Sequence, residues 1–336
     1  MSKQIAVIIL NWNGEELIKR FLPSVCKYTN SDIADVIIAD NGSTDNSVEI
    51  IKHDFPKAKL LCLGKNHGYA EGYNIAIEET NYKYTLLLNS DVEVREGWLE
   101  PLYEFMEENE DTAACQPKIL SCTNPNMFEY AGAAGGYIDN MGYLYCRGRL
   151  FDTIEPDEGQ YNQVEDIFWA SGAALMVRTE VYLRVGGLDG LFFAHMEEID
   201  LCWRINLEGY KIKYLPNSAI YHLGGGTLEA GNPRKTFLNF RNNLLLLYKN
   251  LPKKVRDRKL FARRLYDTLA FFMFLAKREF RNAGAVLKAH KDFRRMKRLY
   301  TPPKDIANLL KGNKNAERNV IIEYFLQGRK RFSDLK

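Results

Sequence analysis

The chain has 336 residues, of which 46% are hydrophobic and 26% charged, enough for a full α/β core and a smaller appendage. Its six cysteines show no CxxC pair and no metal-ligand spacing, so we expect neither a disulfide framework nor a structural zinc site. The apolar stretch near the N-terminus is too short for a signal peptide, and no apolar run approaches the ~20 residues that cross a bilayer. We therefore expect a cytoplasmic protein with reduced thiols.

The net charge of +3 is unevenly distributed along the chain. Residues 249–300 carry 17 Lys and Arg against 4 Asp and Glu, whereas residues 1–248 carry 21 against 35. This asymmetry predicts that the acidic and basic parts have different roles. We expect an α/β domain over residues 1–248 and a basic amphipathic helical extension over residues 249–336.

Short apolar runs alternate with helical patterns in the first half of the chain, which is typical of a mostly parallel, Rossmann-like sheet flanked by helices. The predicted strands are Ile5–Leu10, Val36–Ala39, Lys59–Leu63, Tyr84–Leu88 and Ala113–Gln116. The predicted helices between them are Glu15–Lys27 and Ser47–His53. Asn46 and Glu49 predict a capping box at the start of the second helix. Ligands bind beyond the carboxyl ends of such strands, where Asn11, Asp40 and Asn89 stand.

The pattern changes after residue 120. Residues 121–163 are rich in Gly and Tyr and have little periodicity, which predicts a long loop over one face of the sheet. Regular secondary structure is expected to begin again at Phe168–Val177. The elements predicted after it are a helix at about Glu197–Glu208, a strand at Lys211–Leu215 and a helix at Lys235–Tyr248.

The turn after the Tyr84–Leu88 strand is a candidate metal site, because it carries Asn89 and Asp91. One carboxylate and one amide oxygen suit a hard divalent cation that keeps several waters and binds phosphate oxygens. The alternative is an Asx turn that only ends the strand. Downstream, His222 follows a strand and precedes three glycines, a pattern that favours a metal- or phosphate-facing imidazole over a structural histidine.

A cluster of acids opens the helix predicted from Glu197. Glu197, Glu198 and Asp200 all fall in its first turn, where acids commonly compensate the helix dipole. Crowding also raises carboxylate pKa values, which leaves one acid as a usable base. The i, i+4 spacing of Asp200 and Arg204 predicts a structural ion pair, so Glu198 is favoured as the base.

Seven motifs in register carry a family resemblance that covers roughly residues 4 to 248. They are VIILNWNG, VIIADNGSTDNS, NHGYAEGYN, LLLNSDVEV, WASGAALMVR, VGGLDGLFFAHMEEIDLCWRI and YLPNSAIYHLGGG. In this order they resemble the inverting family-2 glycosyltransferases of the GT-A fold, in particular the rhamnosyltransferase-like branch. The resemblance implies a nucleotide-sugar-binding half over residues 1–120 and an acceptor and catalytic-base half over residues 121–248.

The resemblance also implies roles for individual residues of the donor site. Asp40 would read the uracil or thymine edge, and Asn11 would lie against the nucleoside. The remaining residues implied to bind the nucleotide sugar are Asn13, Asn66, Gly68, Asn74, Asn89, Ser90 and Asp91. The family's DxD motif falls on Asn89-Ser90-Asp91, which leaves Asp91 as the main metal ligand, with His222 as the second. The implied cofactor is Mg²⁺ or Mn²⁺.

On the acceptor side, the family's base is the second acid of an ED pair, which falls on Glu198 after Glu197. This sequence therefore has Glu where the family usually has Asp. The residues implied to lie around the acceptor are Trp169, Gly172 and Asp200. The implied reaction is a single displacement, in which a base takes the acceptor's proton while a metal stabilises the departing nucleoside diphosphate.

The first expectation for the substrates is rhamnose from dTDP-rhamnose, transferred to a cell-surface glycan or a lipid-linked oligosaccharide. A sugar-nucleotide nucleotidyltransferase is one alternative, although it would need a Gly-rich signature with Lys or Arg near the N-terminus. A non-catalytic glycan-binding module is another. Nucleic acid is not an expected partner, because the aromatics of the basic segment share helical stripes with aliphatics.

Residues 249–300 read as two or three amphipathic helices, which predicts peripheral contact with anionic lipid on the inner face of the cell membrane. The alternative is a helical cap that packs Phe271, Phe272 and Phe274 onto the main domain or onto a homodimer partner.

Overall fold

The computed structural model describes residues 3–224, 231–302 and 306–335. The strands are β1 Ile5–Asn11, β2 Ala34–Asp40, β3 Lys59–Cys62, β4 Tyr84–Leu88, β5 Val92–Val94, β6 Thr112–Ser121, β7 Gly136–Ile138, β8 Leu144–Cys146, β9 Arg149–Leu150, β10 Thr153–Ile154, β11 Glu165–Asp166, β12 Ala174–Arg178 and β13 Lys211–His222. The helices are α1 Glu15–Tyr28, α2 Ser47–Asp54, α3 Tyr69–Glu78, α4 Glu100–Glu108, α5 Thr179–Arg184, α6 Glu197–Leu207, α7 Pro233–Asn250, α8 Lys253–Ala276 and α9 Phe280–Met296.

Within the described residues, nine strands form one central sheet in the order β11-β13-β6-β12-β4-β1-β2-β3, with β5 paired to β13. Strands β1 to β4 pair in parallel, as do β6 and β13, whereas β5, β11 and β12 run antiparallel to their neighbours. Successive side chains of β1 enter two different hydrophobic clusters, because strand residues alternate between the faces of a sheet. The predicted fold class is confirmed.

The sheet topology brings distant segments together at one edge. Asn11 and Asp40 are register partners at the ends of β1 and β2. Because β12 is antiparallel to β4, its start lies beside the end of β4, and the Asn89 N–H donates to the Ala173 carbonyl at 3.1 Å. Strand β13 pairs with β5 so that His222 lies opposite Val92, directly after Asp91 in the chain.

Several predicted elements need correction. Residues 121–163 are not a plain loop, because β7 to β10 form a small four-stranded antiparallel sheet there. Strand β13 runs past the predicted end at Leu215 to His222 because it continues to pair with β6 after a register shift. The capping box is absent, since Asn46 makes no side-chain cap and its Nδ2 donates instead to Glu15 at 3.3 Å.

Two features connect the C-terminal region to the main domain. Helix α7 packs against α8 and α9. The tail then returns to the small sheet, where the Tyr145 hydroxyl donates to the Asn315 carbonyl at 2.8 Å and Phe332 stacks on Tyr137. The division of the chain at residue 248 stays a prediction, and α7 continues past it to Asn250.

Candidate functional site

The ends of β1 and β2 form a buried polar patch. Asn11 Nδ2 donates to Asp40 Oδ1 at 3.0 Å and to Ser47 Oγ at 2.9 Å. The other carboxylate oxygen of Asp40 accepts from the Ser43 N–H at 3.1 Å. Asn11 Oδ1 is buried and has no hydrogen-bond partner among the described residues, and it lies so close to Gly14 that a Cβ there would be 2.5 Å from it. A free acceptor beside a buried carboxylate suits a ligand that brings N–H donors.

The neighbouring predicted residues shape the loops around this patch. Asn13, in the left-handed region with φ of 49°, accepts from the Thr44 N–H at 2.7 Å. Asn66 Oδ1 accepts from the Gly68 N–H at 2.8 Å, directly before α3 begins. Gly68 has a φ of 82°, which favours glycine at this position. The structure therefore brings Asn13, Asn66 and Gly68 to the same edge as Asp40.

Asn74 differs from the other predicted nucleotide contacts. Its Nδ2 donates to the Leu188 carbonyl at 2.8 Å, and its Oδ1 accepts from the Leu188 N–H at 2.9 Å and from the Tyr182 hydroxyl at 2.6 Å. These contacts tie α3 to the loop that leads to Glu197. A nucleotide-binding role for Asn74 stays a prediction, whereas its contacts are those of a positioning residue.

The turn after β4 meets the end of β13. His222 Nε2 lies 3.1 Å from Asp91 Oδ1, and both side chains are buried. Burial would raise the pKa of Asp91, but the hydrogen bond and charge of His222 lower it below its ordinary value. Asn89 Nδ2 lies 3.4 Å from His222 Nε2, while Asn89 Oδ1 faces the Tyr69 hydroxyl. Ser90 lies between Asn89 and Asp91 and is partly exposed.

Sequence reasoning missed Glu129, which lies on the other side of the same imidazole. Its Oε2 is 3.2 Å from His222 Nδ1, an ion pair whose alignment is poor for a hydrogen bond. Burial would lower the pKa of His222, but Asp91 and Glu129 outweigh it and raise the value to about 10. Glu129 reaches this position because its N–H donates to the Ile119 carbonyl on β6, the strand beside β13.

The donor set around Asp91 fits a divalent cation of the Mg²⁺ or Mn²⁺ type. The described residues contain no group of three or more His, Cys, Asp or Glu that could hold a metal by itself. One carboxylate and one imidazole nitrogen therefore leave most coordination positions to water and phosphate oxygens, which is how such cations bind at phosphate-transfer sites. The residues present fit the predicted metal.

The first turn of α6 carries three acids. The pKa values of Glu197 and Glu198 are raised, whereas that of Asp200 is lowered. Burial and the charge of Glu198 raise the pKa of Glu197 well above its ordinary value, while burial raises the pKa of Glu198 to about 7. The Oε2 atoms of both are buried and unpartnered among the described residues. Asp200 is fully buried, but Arg204 and Lys249 lower its pKa. Its Oδ2 accepts from Arg204 Nε at 2.9 Å, as the ion-pair prediction requires.

Tyr69 connects the turn after β4 with Gly172, which lies beside Glu198. The Tyr69 hydroxyl lies 3.4 Å from Asn89 Oδ1 and 3.3 Å from the Gly172 carbonyl. A Cβ on Gly172 would lie 2.9 Å from that hydroxyl and 3.8 Å from Glu198 Cβ, so only glycine fits there without displacement. Trp169, in contrast, is a core residue whose Nε1 donates to the Tyr137 carbonyl at 2.9 Å. Acceptor contacts of Gly172 and Trp169 stay predictions.

The loop that aims the two glutamates is strained and firmly held. Phe193, His195 and Met196 all have φ between 68° and 75°, a region that side chains other than glycine rarely adopt. Asn242 of α7 is fully buried, and its Nδ2 lies within 3.0 Å of the carbonyl oxygens of Phe192, Ala194 and His195. Asn242 is the second residue that sequence reasoning missed. The signal that could have found it is a polar run that directly precedes four leucines in α7.

The fold and this edge of the sheet define a GT-A glycosyltransferase. Residues 6–154 match the family model described as Glycosyl transferase family 2. This match confirms the prediction, made from the sequence motifs, of a family-2 glycosyltransferase domain.

Relatives and solved structures agree with this assignment. The N-acetylglucosaminyl-diphospho-decaprenol L-rhamnosyltransferase of Mycobacterium tuberculosis is 25% identical over 245 residues, which cover 66% of this chain and 76% of the relative. The rhamnosyltransferase WbbL of Escherichia coli (strain K12) is 22% identical over 273 residues, with 79% and 98% covered.

Among solved structures, GalNAc-T7 with UDP, GalNAc and Mn²⁺ superimposes with a TM-score of 0.58 at 17% identity, over 75% of this chain but only 48% of that one. The mannosyltransferase PcManGT of Pyrobaculum calidifontis, in complex with GDP-Man and Mn²⁺, gives a TM-score of 0.55 at 13% identity, with 88% of both chains covered. At these identities the likeness shows the fold alone.

Proposed function

We propose that this glycosyltransferase moves a sugar, with inversion, from a nucleotide-diphosphate donor to a hydroxyl of a cell-surface glycan or lipid-linked oligosaccharide. The observation that carries the proposal is the series of contacts that leads from the Asn89-Ser90-Asp91 turn through Tyr69 and Gly172 to Glu198, whose pKa is raised to about 7. A single displacement needs a base on the acceptor side and a diphosphate site on the donor side of the same sugar. Glu198 is the candidate for the base, and the turn that carries Asp91 is the candidate for the diphosphate site.

On the donor side, Asp40 and Asn11 bind the pyrimidine, and Asn13, Asn66 and Gly68 shape the loops around it. Asp91 and His222 hold the cation. When bound, Mg²⁺ or Mn²⁺ offsets the negative charge on the departing nucleoside diphosphate. Glu129 orients the His222 ring so that Nε2, and not Nδ1, faces Asp91. Such outer carboxylates fix the ring and the tautomer of a metal-binding histidine.

On the acceptor side, Glu198 takes the proton of the attacking hydroxyl. A base is most effective when its pKa lies near the working pH, and the value of about 7 meets that condition. Glu197 has the more strongly raised pKa, because burial disfavours its charged form and the neighbouring charge of Glu198 disfavours it further. Glu197 therefore holds its proton more tightly than Glu198, so Glu198 is the member of the pair that ionises first. Asp200 is neutralised by Arg204 and Lys249 and anchors α6 instead.

The proposed donor is dTDP-rhamnose, supported by the rhamnosyltransferase names of the relatives. The test is nucleoside-diphosphate release from dTDP-rhamnose, UDP sugars and GDP-mannose, with a lipid-linked acceptor analogue, in the presence of Mn²⁺ or of excess EDTA. We expect cation-dependent release that requires both donor and acceptor. Pyrophosphate release from a nucleoside triphosphate and a sugar phosphate would instead identify a nucleotidyltransferase, and glycan binding without any turnover would identify a binding module.

No helix among the described residues has the length and apolar character needed to span a bilayer. A lipid-linked acceptor lies at a membrane surface, and we propose that the basic C-terminal helices contact that surface on the inner face. A homodimer through these helices remains the competing proposal.

A further inference from the structure

Helix α8 buries two charged residues and exposes several large apolar ones. Over its full described length, Lys253–Ala276, the buried residues are Arg263 and Asp267. Large apolar side chains point into solvent, each between 43% and 63% exposed; they are Phe261, Leu265, Leu269, Phe272 and Met273. Spacings of three and four residues place these five on one face of the helix. We call this face the α8 stripe.

The buried charges fix which way α8 faces. Arg263 hydrogen-bonds Asn243 of α7, and its Nη2 lies 3.2 Å from Asp267 Oδ1. Asp267 Oδ2 also lies 2.9 Å from His290 Nε2 of α9. The Arg263 guanidinium lies 4.0 Å from the centre of the Tyr143 ring. Rotating α8 to bury its apolar face would break the contacts of this charged pair with Asn243, His290 and Tyr143, so the α8 stripe is held outward.

The surroundings of the α8 stripe are strongly cationic. Residues 253–278 contain nine Lys and Arg against two Asp. Exposed cations lie at both ends of the helix; they are Lys253, Lys254, Arg258, Lys277 and Arg278. A contiguous exposed apolar face marks an interaction site in a protein. A second copy of the chain would bring the same cations together across that face, whereas anionic lipid headgroups would neutralise them.

We infer that α8 lies flat on an anionic membrane surface, with the α8 stripe among the upper acyl chains and the flanking cations at the headgroups. This is the arrangement of an interfacial amphipathic helix, whose binding combines buried apolar area with attraction to anionic lipid. The inference assigns residues to the membrane contact in the proposed function. The binding itself does not depend on glycosyl transfer, so the two can fail separately.

The test is co-sedimentation of the full chain with vesicles of phosphatidylglycerol and phosphatidylcholine, compared with phosphatidylcholine alone. The combined variant Leu265→Ser, Leu269→Ser and Phe272→Ser removes apolar groups that the fold does not bury. We expect binding to the anionic vesicles to fall on the order of tenfold or more. The matched control is Leu326→Ser, which changes a side chain that is 80% exposed but lies outside α8, and should bind like the wild type.

A second variant tests the charges. Lys277→Glu with Arg278→Glu should weaken binding at low salt, and the difference should shrink at high salt, because headgroup attraction is screened beyond about 10 Å at 0.1 M salt. Thermal unfolding and transfer to a water-soluble acceptor analogue should be unchanged in every variant. The inference is overturned if the stripe variant sediments like the wild type, or if the wild type ignores anionic lipid. It is equally overturned if the wild type forms a dimer in sedimentation velocity that the stripe variant abolishes.

Discussion

Replacing Glu198 with Gln should make the protein more stable above neutral pH. Burial raises the pKa of Glu198 from 4.5 to about 7. In the unfolded chain this carboxyl is ionised above its ordinary pKa, so folding at neutral pH requires either a proton or a buried charge. The group's favourable contribution is therefore complete below pH 4.5 and is lost as the pH rises through about 7. Glutamine keeps the size of the side chain and never carries the charge.

The magnitude follows from the pKa difference. The shift of about 2.5 units corresponds to about 3 kcal/mol, at about 1.36 kcal/mol per unit. Most of this free energy is lost between pH 5 and pH 8. We therefore expect the unfolding free energy of Glu198→Gln, relative to the wild type, to increase by about 2 kcal/mol between these two pH values.

Denaturant unfolding of both proteins at several pH values measures this difference, because contributions from titrating groups that do not interact with Glu198 cancel in the comparison. The matched control is Asp200→Asn. Arg204 and Lys249 lower the pKa of Asp200, so its stabilising contribution is present above the ordinary Asp pKa and is lost only at low pH. That variant should be destabilised throughout the same pH range. A pH-independent difference for Glu198→Gln, or destabilisation at pH 8, would refute the assignment of a raised pKa to Glu198.

Three further predictions concern the donor side. Asp91→Ala should abolish cation-dependent transfer and Mn²⁺ binding in the presence of nucleoside diphosphate, and full wild-type activity in excess EDTA would remove the metal role. Asp40→Ala should weaken nucleotide binding by about 1–3 kcal/mol, the cost of an unpaired buried partner. Titration calorimetry with UDP and dTDP measures this, and unchanged affinity for both would place Asp40 outside the site. Glu129→Gln should lower Mn²⁺ affinity by about 10- to 100-fold with the nucleotide bound, since it orients His222. Unchanged Mn²⁺ affinity would reduce Glu129 to a structural role.

The central strands could be predicted because their apolar runs are fully buried. Tyr84–Leu88 has the predicted bounds, and β1 and β2 extend the predicted strands by one to three residues. Parallel pairing then brings Asn11 and Asp40 together, so two site residues follow from the fold class alone.

The small sheet over residues 136–154 could not be predicted, because strands of two or three residues have no periodicity. Contacts from distant residues stabilise it, including the stacking of Phe332 on Tyr137 and Tyr145. Glu129 could not be predicted either, because its position depends on a backbone hydrogen bond to β6 and not on a local motif. Asn242 lies more than 40 residues after the loop it holds, so only the tertiary structure shows the connection.

The central claim is that Glu198 acts as the base of glycosyl transfer. The most direct test is the turnover of Glu198→Gln, Glu197→Gln and Asp200→Asn at saturating donor and acceptor, with donor binding measured in parallel. The account predicts that Glu198→Gln binds donor normally but loses on the order of 10²–10⁴-fold in turnover, the usual contribution of a general base. The other two variants should lose less. Near-normal turnover of Glu198→Gln together with a large loss in Glu197→Gln would contradict the account and move the base by one residue.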